Sequence, residues 1–180
     1  MNGGVRGGSS SHEYGTARAR PPEISLAAEA TKLIERYPPG RSRSALVPLL
    51  HLAQERDGYV TEEGMTEVAE ILEITSAQVR SVATFYTMFY LKPKGRHVIG
   101  VCQNLACTLN GAENLIDSLE EHLGIKCGET TTDGHFTLER AECLAACDLA
   151  PMLQIDYQTM HGPLSGHAAV TLIESVRTNG

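Results

Sequence analysis

The chain has 180 residues, of which 42% are hydrophobic and 21% charged, and its formal net charge at pH 7 is −7. This length and apolar content suffice for one compact domain with an appendage, so disulfide bonds are not needed to hold the fold. The negative charge disfavours nucleic acid as a partner, because a phosphate backbone is bound by an excess of Lys and Arg. The sequence has no run of about 20 apolar residues, so we expect no direct insertion into a membrane.

The first 22 residues are rich in Gly, Ser and Arg. They carry too little apolar surface to offset the entropy of ordering, and they lack the apolar core of a secretory signal. The composition therefore predicts a disordered tail over residues 1–22 and a reducing, cytoplasmic compartment. In such a compartment, five cysteines point to a metal or redox site rather than to a disulfide framework.

Three amphipathic helices are predicted in the first half of the chain. In each, apolar residues recur at the spacing of one helix face, and a residue that commonly caps helices stands just before them. The third begins with the pattern of a capping box and continues as an apolar stripe toward Phe89. The three stripes begin at Leu46, Met65 and Val79, and their candidate caps are Ser44, Thr61 and Thr75, respectively. Together they predict a helical domain over residues 23–92.

Four aromatic residues lie close together at the end of this domain, in a chain with only 5% aromatic residues. They are Phe85, Tyr86, Phe89 and Tyr90. Core packing explains most apolar positions here, but aromatic rings are also enriched at protein interfaces. We therefore expect some of these rings to face a partner.

The pattern changes after Lys92, where Pro and Gly end the helical domain, and residues 93–180 are predicted to form a second, mixed domain. Its expected order is β, α, β, β, β, α, so the whole chain is expected to be α+β. The predicted elements are a strand at 97–101, a helix from Asn110 to a left-handed cap at Gly124, a hairpin of 125–132 with 136–138 around Asp133-Gly134, a strand at 152–156 and a helix through 169–176.

Two close pairs of cysteines make a four-thiolate site plausible. Cys102 and Cys107 are separated by four residues directly after the first predicted strand, and Cys143 and Cys147 are separated by three. Thiolates select zinc, copper(I) or an iron–sulfur cluster over hard cations. Zinc knuckles mostly have two residues between paired cysteines, whereas a [2Fe–2S] cluster is larger than one ion. The spacing therefore favours the cluster and leaves zinc as the alternative.

The remaining cysteine and the histidines are not expected to be ligands. No Cys-x-His occurs, which excludes the Rieske arrangement, and no CxxC occurs, which disfavours thiol exchange. The spacing also differs from that of plant-type ferredoxins. Cys127 is interpreted as an inert, buried or partly buried thiol. Surface or core positions are expected for His97, His122, His135, His161 and His167.

Ordered motifs extend from about Tyr37 to about Asp156. They are Tyr37-Pro38, Arg43-Ser-Ala-Leu46, Ala53-Gln54, Gly58-Tyr59, Val82-Ala-Thr-Phe-Tyr86, Met88-Phe89, Val101-Cys102, Cys107, Asp133-Gly134, Phe136-Thr-Leu138, and Cys143-Leu144 through Cys147 to Ala150-Pro151. In this order they resemble the thioredoxin-like [2Fe–2S] ferredoxin subunit, of the 24 kDa type, of NADH:quinone oxidoreductases (respiratory complex I). The resemblance implies a helical bundle followed by a thioredoxin-like domain. It also implies a [2Fe–2S] cluster bound by Cys102, Cys107, Cys143 and Cys147, two per iron.

The resemblance also implies how the chain takes part in electron transfer. NADH supplies a hydride whereas an iron–sulfur cluster exchanges single electrons, so a flavin must stand between them. The sequence has no dinucleotide-binding or Walker motif in the required context, so we expect no catalytic residue here. FMN and NADH are expected on a partner subunit of the same complex, next to other peripheral-arm iron–sulfur subunits. The expected location is cytoplasmic, on the inner face of the cell membrane.

Two other functions stay open at this point. The same module resembles the small diaphorase subunit of NAD-linked formate dehydrogenases and bidirectional hydrogenases. A zinc-stabilised adaptor domain would use the four cysteines only to hold its fold.

The cysteine loops depart from the family pattern in two respects. Ala145 stands where many members have Gly, and because alanine does not readily adopt a positive φ, we expect the loop to differ slightly or not to need that freedom. Asp148 stands where Gly is common. With Glu139 and Glu142, it places negative charge near the expected cluster, which either lowers the reduction potential or has little influence because the carboxylates are solvated.

Overall fold

The structure is a computed structural model that describes residues 25–179. The predicted disordered tail, residues 1–22, lies outside the described residues. The helices are α1 Leu26–Ile34, α2 Leu46–Asp57, α3 Glu62–Leu72, α4 Ser76–Phe85, α5 Leu105–Leu109, α6 Ala112–Leu123 and α7 Gly166–Asn179, and the strands are β1 His97–Cys102, β2 Phe136–Ala141, β3 Leu153–Ile155 and β4 Thr159–His161. Among the described helices, none is long and apolar enough to cross a membrane.

Two of the three predicted N-terminal helix caps are confirmed. The Thr61 hydroxyl accepts the backbone N–H of Gly64 at 2.9 Å, and Thr75 forms the expected capping box with Gln78. The cap predicted at Ser44 is wrong, because a 3-10 turn over Ser42–Ala45 leads directly into α2 and no side chain caps it.

The first four helices enclose one apolar core. Its members include Leu49, Leu50, Val68 and Val79, none of which is accessible to solvent. Helix α1, which the sequence analysis did not identify, adds its own buried residues to this core. The core therefore draws on all four helices, as in a small bundle.

The four aromatic residues after α4 do not share one environment. Helix α4 ends at Phe85, so the apolar stripe does not continue as a helix toward Phe89. Phe89 is 5% exposed and packs in the helical core against His51, whereas Phe85 is 75% exposed. Whether the exposed ring faces a partner stays a prediction.

The second half of the chain forms a mixed sheet. Within the described residues its strand order is β2-β1-β3-β4, with β1 and β2 parallel and the other neighbours antiparallel. Helices α6 and α7 pack together on one face, over Ile99 and Val101 of β1 and Leu138 of β2. Helix α6 ends as predicted at Gly124, whose φ is +66°. The chain is α+β, and the predicted boundary at residues 92 and 93 falls between α4 and β1.

The hairpin predicted for 125–132 with 136–138 is only partly present. The segment before the Asp133-Gly134 turn is not a strand, and it makes one isolated bridge, from Thr130 to Thr137. A turn at Gly128, φ +95°, and the Glu129 side chain, which accepts the N–H of Lys126 at 2.7 Å, prevent an extended run. Strand β2 instead pairs in parallel with β1, and this pairing extends over all residues of both strands.

The true hairpin lies between β3 and β4. Asp156 and Tyr157 form its turn, both with positive φ, and Gln158 N–H donates to the Ile155 carbonyl at 3.0 Å. The Asp156 carboxylate also accepts the N–H of Val98 at 2.8 Å, which ties this turn to the start of β1. The sequence pattern predicted β3 but not β4.

Candidate metal centre

The parallel pairing of β1 and β2 brings the two cysteine pairs to one end of the sheet. Cys102 is the last residue of β1 and lies opposite Ala141, the last residue of β2. Cys143 follows β2 by two residues, and the N–H of Gln103 donates to the Ala141 carbonyl at 2.9 Å. Because the carboxyl ends of parallel strands meet at the same edge, the loops that follow them are neighbours.

The first pair is buried. Cys102 and Cys107 are 3% and 2% exposed and form a small apolar core with Ala112 and Met152, called the cysteine core below. The pKa of the Cys107 thiol is raised to about 11. The largest cause is burial, and the next two are its hydrogen bond with Cys102 and the charge of Cys102. The charge of Cys147 is the smallest contribution to the same rise. A metal that binds here must displace protons from the thiols.

The second pair faces solvent. Cys143 and Cys147 are both exposed, and Cys147 begins a 3-10 turn that ends at Leu149. The Sγ of Cys143 accepts the backbone N–H of Ala145 at 3.4 Å. The site thus has a sealed half after β1 and an open half after β2.

Ala145 adopts the conformation that the sequence analysis did not expect of alanine. Its φ is +55°, in the left-handed region. The expectation that the loop would avoid a positive φ is therefore wrong. The residues on either side of it, Leu144 and Ala146, pack partly against the cysteine core, and this packing fixes the path of the chain through Ala145.

The donor set fits an iron–sulfur cluster in its chemistry. All five cysteines are free, and four of them form two pairs at one end of the sheet, as the two irons of such a cluster require. Between residues 25 and 179, no group of three or more His, Cys, Asp or Glu side chains forms a ready-made site for a metal ion. The predicted ligands are thus neighbours in the fold and are not gathered around one point.

The side chains excluded as ligands lie elsewhere. Cys127 is half-buried against the sheet core, and burial raises the pKa of its thiol. His97 is buried and bonded through Nδ1 to Asp156 at 2.7 Å, and His122 contacts Glu174. The His135 ring packs edge-on against the Phe136 ring. His161 is half-buried, and His167 is exposed.

Three carboxylates are expected near the site, and within the described residues two of them form no ion pair. Glu142 and Asp148 are exposed in the second cysteine loop, whereas Glu139 forms an ion pair with Lys94. An open cavity of about 430 Å³ lies beside Cys143, lined by Glu139, Glu142 and Gln154 among others. The local negative charge is therefore carried mainly by the loop itself.

Helix α5 is a feature of the site that the sequence analysis missed. The Asn104 side chain accepts the N–H of Leu105 at 2.8 Å at its start, and Cys107 points into the cysteine core. Leu105 and Leu109 are 70% and 76% exposed on the same short helix. The Asn after Cys102 could have signalled a helix start, but five residues are too few for a recognisable apolar period.

Comparison with known proteins identifies relatives of this chain. The family model described as thioredoxin-like [2Fe-2S] ferredoxin matches residues 30–177. An NADH-quinone oxidoreductase E-type subunit of Mycobacterium tuberculosis (strain ATCC 25618 / H37Rv) is 41% identical over 167 residues, covering 92% of this chain and 65% of the relative. The chain thus spans about two thirds of that relative's length. An NADH-quinone oxidoreductase E-type subunit of Rhizobium meliloti (strain 1021) is 44% identical over 144 residues, covering 79% of this chain and 83% of the relative.

A solved structure shares the fold. The NAD+-reducing [NiFe]-hydrogenase in the H2-reduced state superposes with a TM-score of 0.67 at 20% identity, over 76% of this chain and 22% of the hydrogenase chain. The predicted fold, a helical bundle followed by a thioredoxin-like domain, is confirmed by the family match and this superposition. The family's description also confirms the predicted cofactor, a [2Fe–2S] cluster. The chain belongs to the thioredoxin-like [2Fe-2S] ferredoxin family.

Proposed function

We propose that this chain is the electron-transfer subunit of the NADH-oxidising module of an NADH:quinone oxidoreductase. Its ligands are Cys102, Cys107, Cys143 and Cys147. The observation that carries the proposal is the parallel pairing of β1 with β2, which places both cysteine pairs at one end of the sheet. The names of the relatives support the choice of complex.

When bound, a [2Fe–2S] cluster accepts and releases one electron at a time. The chain's own residues would control access to it. The buried pair excludes water from the side of Ala112 and Met152, and Cys143 and Cys147 leave the other side open. Electrons would therefore enter and leave on the side of the second loop, where a partner can approach.

The partner in this proposal carries FMN and oxidises NADH. In the same proposal, other peripheral-arm iron–sulfur subunits belong to the complex, which lies on the cytoplasmic face of the membrane. No hydride chemistry is assigned to this chain, since its sequence lacks a dinucleotide-binding motif in the required context.

The cluster is tested with the purified full chain, reconstituted without oxygen. We expect iron and labile sulfide in equal amounts and a rhombic spin-one-half signal after reduction. Equimolar zinc without visible absorption would contradict the cluster and support the adaptor instead.

The partner is tested by co-purification of the tagged chain from its own cells. A flavoprotein that oxidises NADH and quinone-reductase subunits are expected, and NADH should reduce the cluster only when that flavoprotein is present. Recovery of a molybdenum or nickel subunit would contradict the assignment to a quinone reductase and favour the diaphorase of a formate dehydrogenase or hydrogenase.

A further inference from the structure

Ala145 has a backbone conformation that alanine rarely adopts. At φ +55°, its Cβ approaches the following carbonyl oxygen, a cost equivalent to a roughly five- to thirtyfold smaller folding constant. Asp156 and Tyr157, which also have positive φ, form the tight turn of a hairpin, but Ala145 lies in no hairpin. The conformation at Ala145 therefore needs another explanation.

The packing around Ala145 shows what enforces the strain. Leu144 and Ala146 pack partly against the cysteine core, while Ala145 itself is exposed. Strained conformations persist where the surroundings over-determine them, and here the two neighbours fix the chain on both sides. Ala145 is exposed and is not among the residues packed against the cysteine core, which directs attention to its backbone.

The backbone of Ala145 has a specific acceptor. Its N–H donates to the Sγ of Cys143 at 3.4 Å. Cys143 is exposed, in contrast to Cys102 and Cys107, whose sulfurs are held within the cysteine core. A hydrogen bond to a ligand sulfur stabilises the more negative, reduced form of a cluster, so it raises the reduction potential.

We propose that Ala145 is a positioning residue for Cys143: its N–H donates to the Cys143 sulfur, and its left-handed φ lets the chain return to the packed Ala146 while that N–H stays on the sulfur. The hydrogen bond fixes this exposed ligand and raises the reduction potential of the bound cluster. The proposal rests on the ligand set proposed above. Because Ala145 acts through its backbone, its φ is required and its methyl group is dispensable.

Two substitutions separate the backbone from the side chain. Asn tolerates the left-handed region, whereas the branched Cβ of Val does not. Both Ala145→Asn and Ala145→Val add an uncharged side chain larger than methyl at an exposed position, so they differ chiefly in the φ that they permit. Iron content, the spectrum of the reduced protein and the midpoint potential are measured on the reconstituted full chain.

We expect Ala145→Asn to keep the iron content, spectrum and potential close to those of the unsubstituted chain. Ala145→Val is expected to lower the potential with a changed spectrum, or to lose iron. If the two variants behave alike, whether both retain the cluster unchanged or both lose it, the proposal is wrong. It is equally wrong if only Ala145→Asn is affected.

The strain is measured separately in the metal-free chain by urea unfolding. Ala145→Gly relieves the positive φ, whereas Ala77→Gly is the matched control, since Ala77 is also exposed and lies in helix α4, where φ is negative. The backbone entropy cost of glycine is common to both, so Ala145→Gly should have a folding constant at least about fivefold larger than Ala77→Gly. Equal folding constants would overturn the proposal.

Failure of the proposed function has a different signature. If the unsubstituted chain takes up zinc alone, the ligand assignment and this proposal fall together. If the unsubstituted chain holds the cluster but the Asn and Val variants do not differ, only the role of Ala145 is lost.

Discussion

Gln54 of α2 is hydrogen-bonded to the backbone of Tyr90, 36 residues later in the chain. Its Oε1 accepts the Tyr90 N–H at 2.7 Å, and its Nε2 donates to the Met88 carbonyl at 3.0 Å. One amide side chain therefore satisfies both a donor and an acceptor in the segment between α4 and β1. This segment also contacts the sheet through the Tyr157 hydroxyl, which donates to the Thr87 carbonyl at 3.4 Å.

The Gln54 bridge predicts a large loss of stability on truncation. Gln54→Ala leaves two part-buried backbone groups unpaired, which should lower the free energy of unfolding by about 1–3 kcal/mol. The measurement is urea unfolding followed by circular dichroism. Gln158→Ala is the control, because Gln158 is exposed, and should change stability by less than about 0.5 kcal/mol. Equal effects would mean that the bridge does not stabilise the segment.

The proposed ligands predict a contrast between two cysteines. Cys143→Ser should lose or strongly alter the cluster, because a hydroxyl is a poor substitute for a thiolate. Cys127→Ser should leave the iron content and the spectrum unchanged, since Cys127 packs against the sheet core, away from the two pairs. Iron analysis and low-temperature spectra of the reduced proteins compare them. The opposite result would overturn the ligand assignment.

A methyl group added at Gly162 is expected to disturb the second cysteine loop, because the space around this glycine is already filled. A Cβ there would overlap the Leu149 carbonyl oxygen and come within 2.8 Å of the Met152 Cβ. Gly162→Ala should destabilise the chain by about 1–3 kcal/mol and reduce iron retention, because the turn that begins at Cys147 must shift. Gly100→Ala is the control, as its Cβ would lie 3.7 Å from that of Ala141, an ordinary contact. Unfolding and iron content should separate the two variants.

The ionised Asp133 carboxylate is expected to contribute to the stability of the fold in a way that is lost in acid. Hydrogen bonds from the Thr131 hydroxyl and the His135 N–H, together with Arg177, lower the pKa of its carboxyl group to about 2 from 3.8. A lowered pKa stabilises the fold fully above the unfolded value, and this contribution is lost as pH falls from about 4 toward 2.

Urea unfolding of the metal-free chain as a function of pH checks this contribution. The difference in stability between the unsubstituted chain and Asp133→Asn should shrink as pH falls below about 4. Asp148→Asn, which changes an exposed loop carboxylate outside this network, is the control and should show a smaller change. A constant difference for Asp133→Asn would contradict the assigned cause.

Local signals predicted those parts of the fold whose ends are set by local chemistry. Thr61, Thr75 and Gly124 each act within one helical turn, and their positions are confirmed. The cap at Ser44 failed because the chain continues as a 3-10 turn into α2, a choice set by packing of the buried Ala45. Helix α1 was missed because its two buried residues gain their partners only from the tertiary core.

The sheet shows the limit of local patterns more clearly. The Thr-rich segment before Asp133 has strand propensity, but the edge of β2 that it borders gains only one bridge, at Thr130. The hairpin at Asp156 and Tyr157 contains no Gly, so its sequence lacked the usual turn signal. Of the site, the cysteine spacing predicted the donors, whereas the positive φ of Ala145 arises from packing on both sides of it.

The unequal burial of the two cysteine pairs determines which pair is oxidised first when the protein is exposed to air. Oxidants and chelators from the solvent reach Cys143 and Cys147 first, because Cys102 and Cys107 are enclosed with Met152. Damage to a loaded site should therefore begin at the loop after β2, and sulfenic or sulfinic acids should accumulate there while the thiols of the inner pair survive.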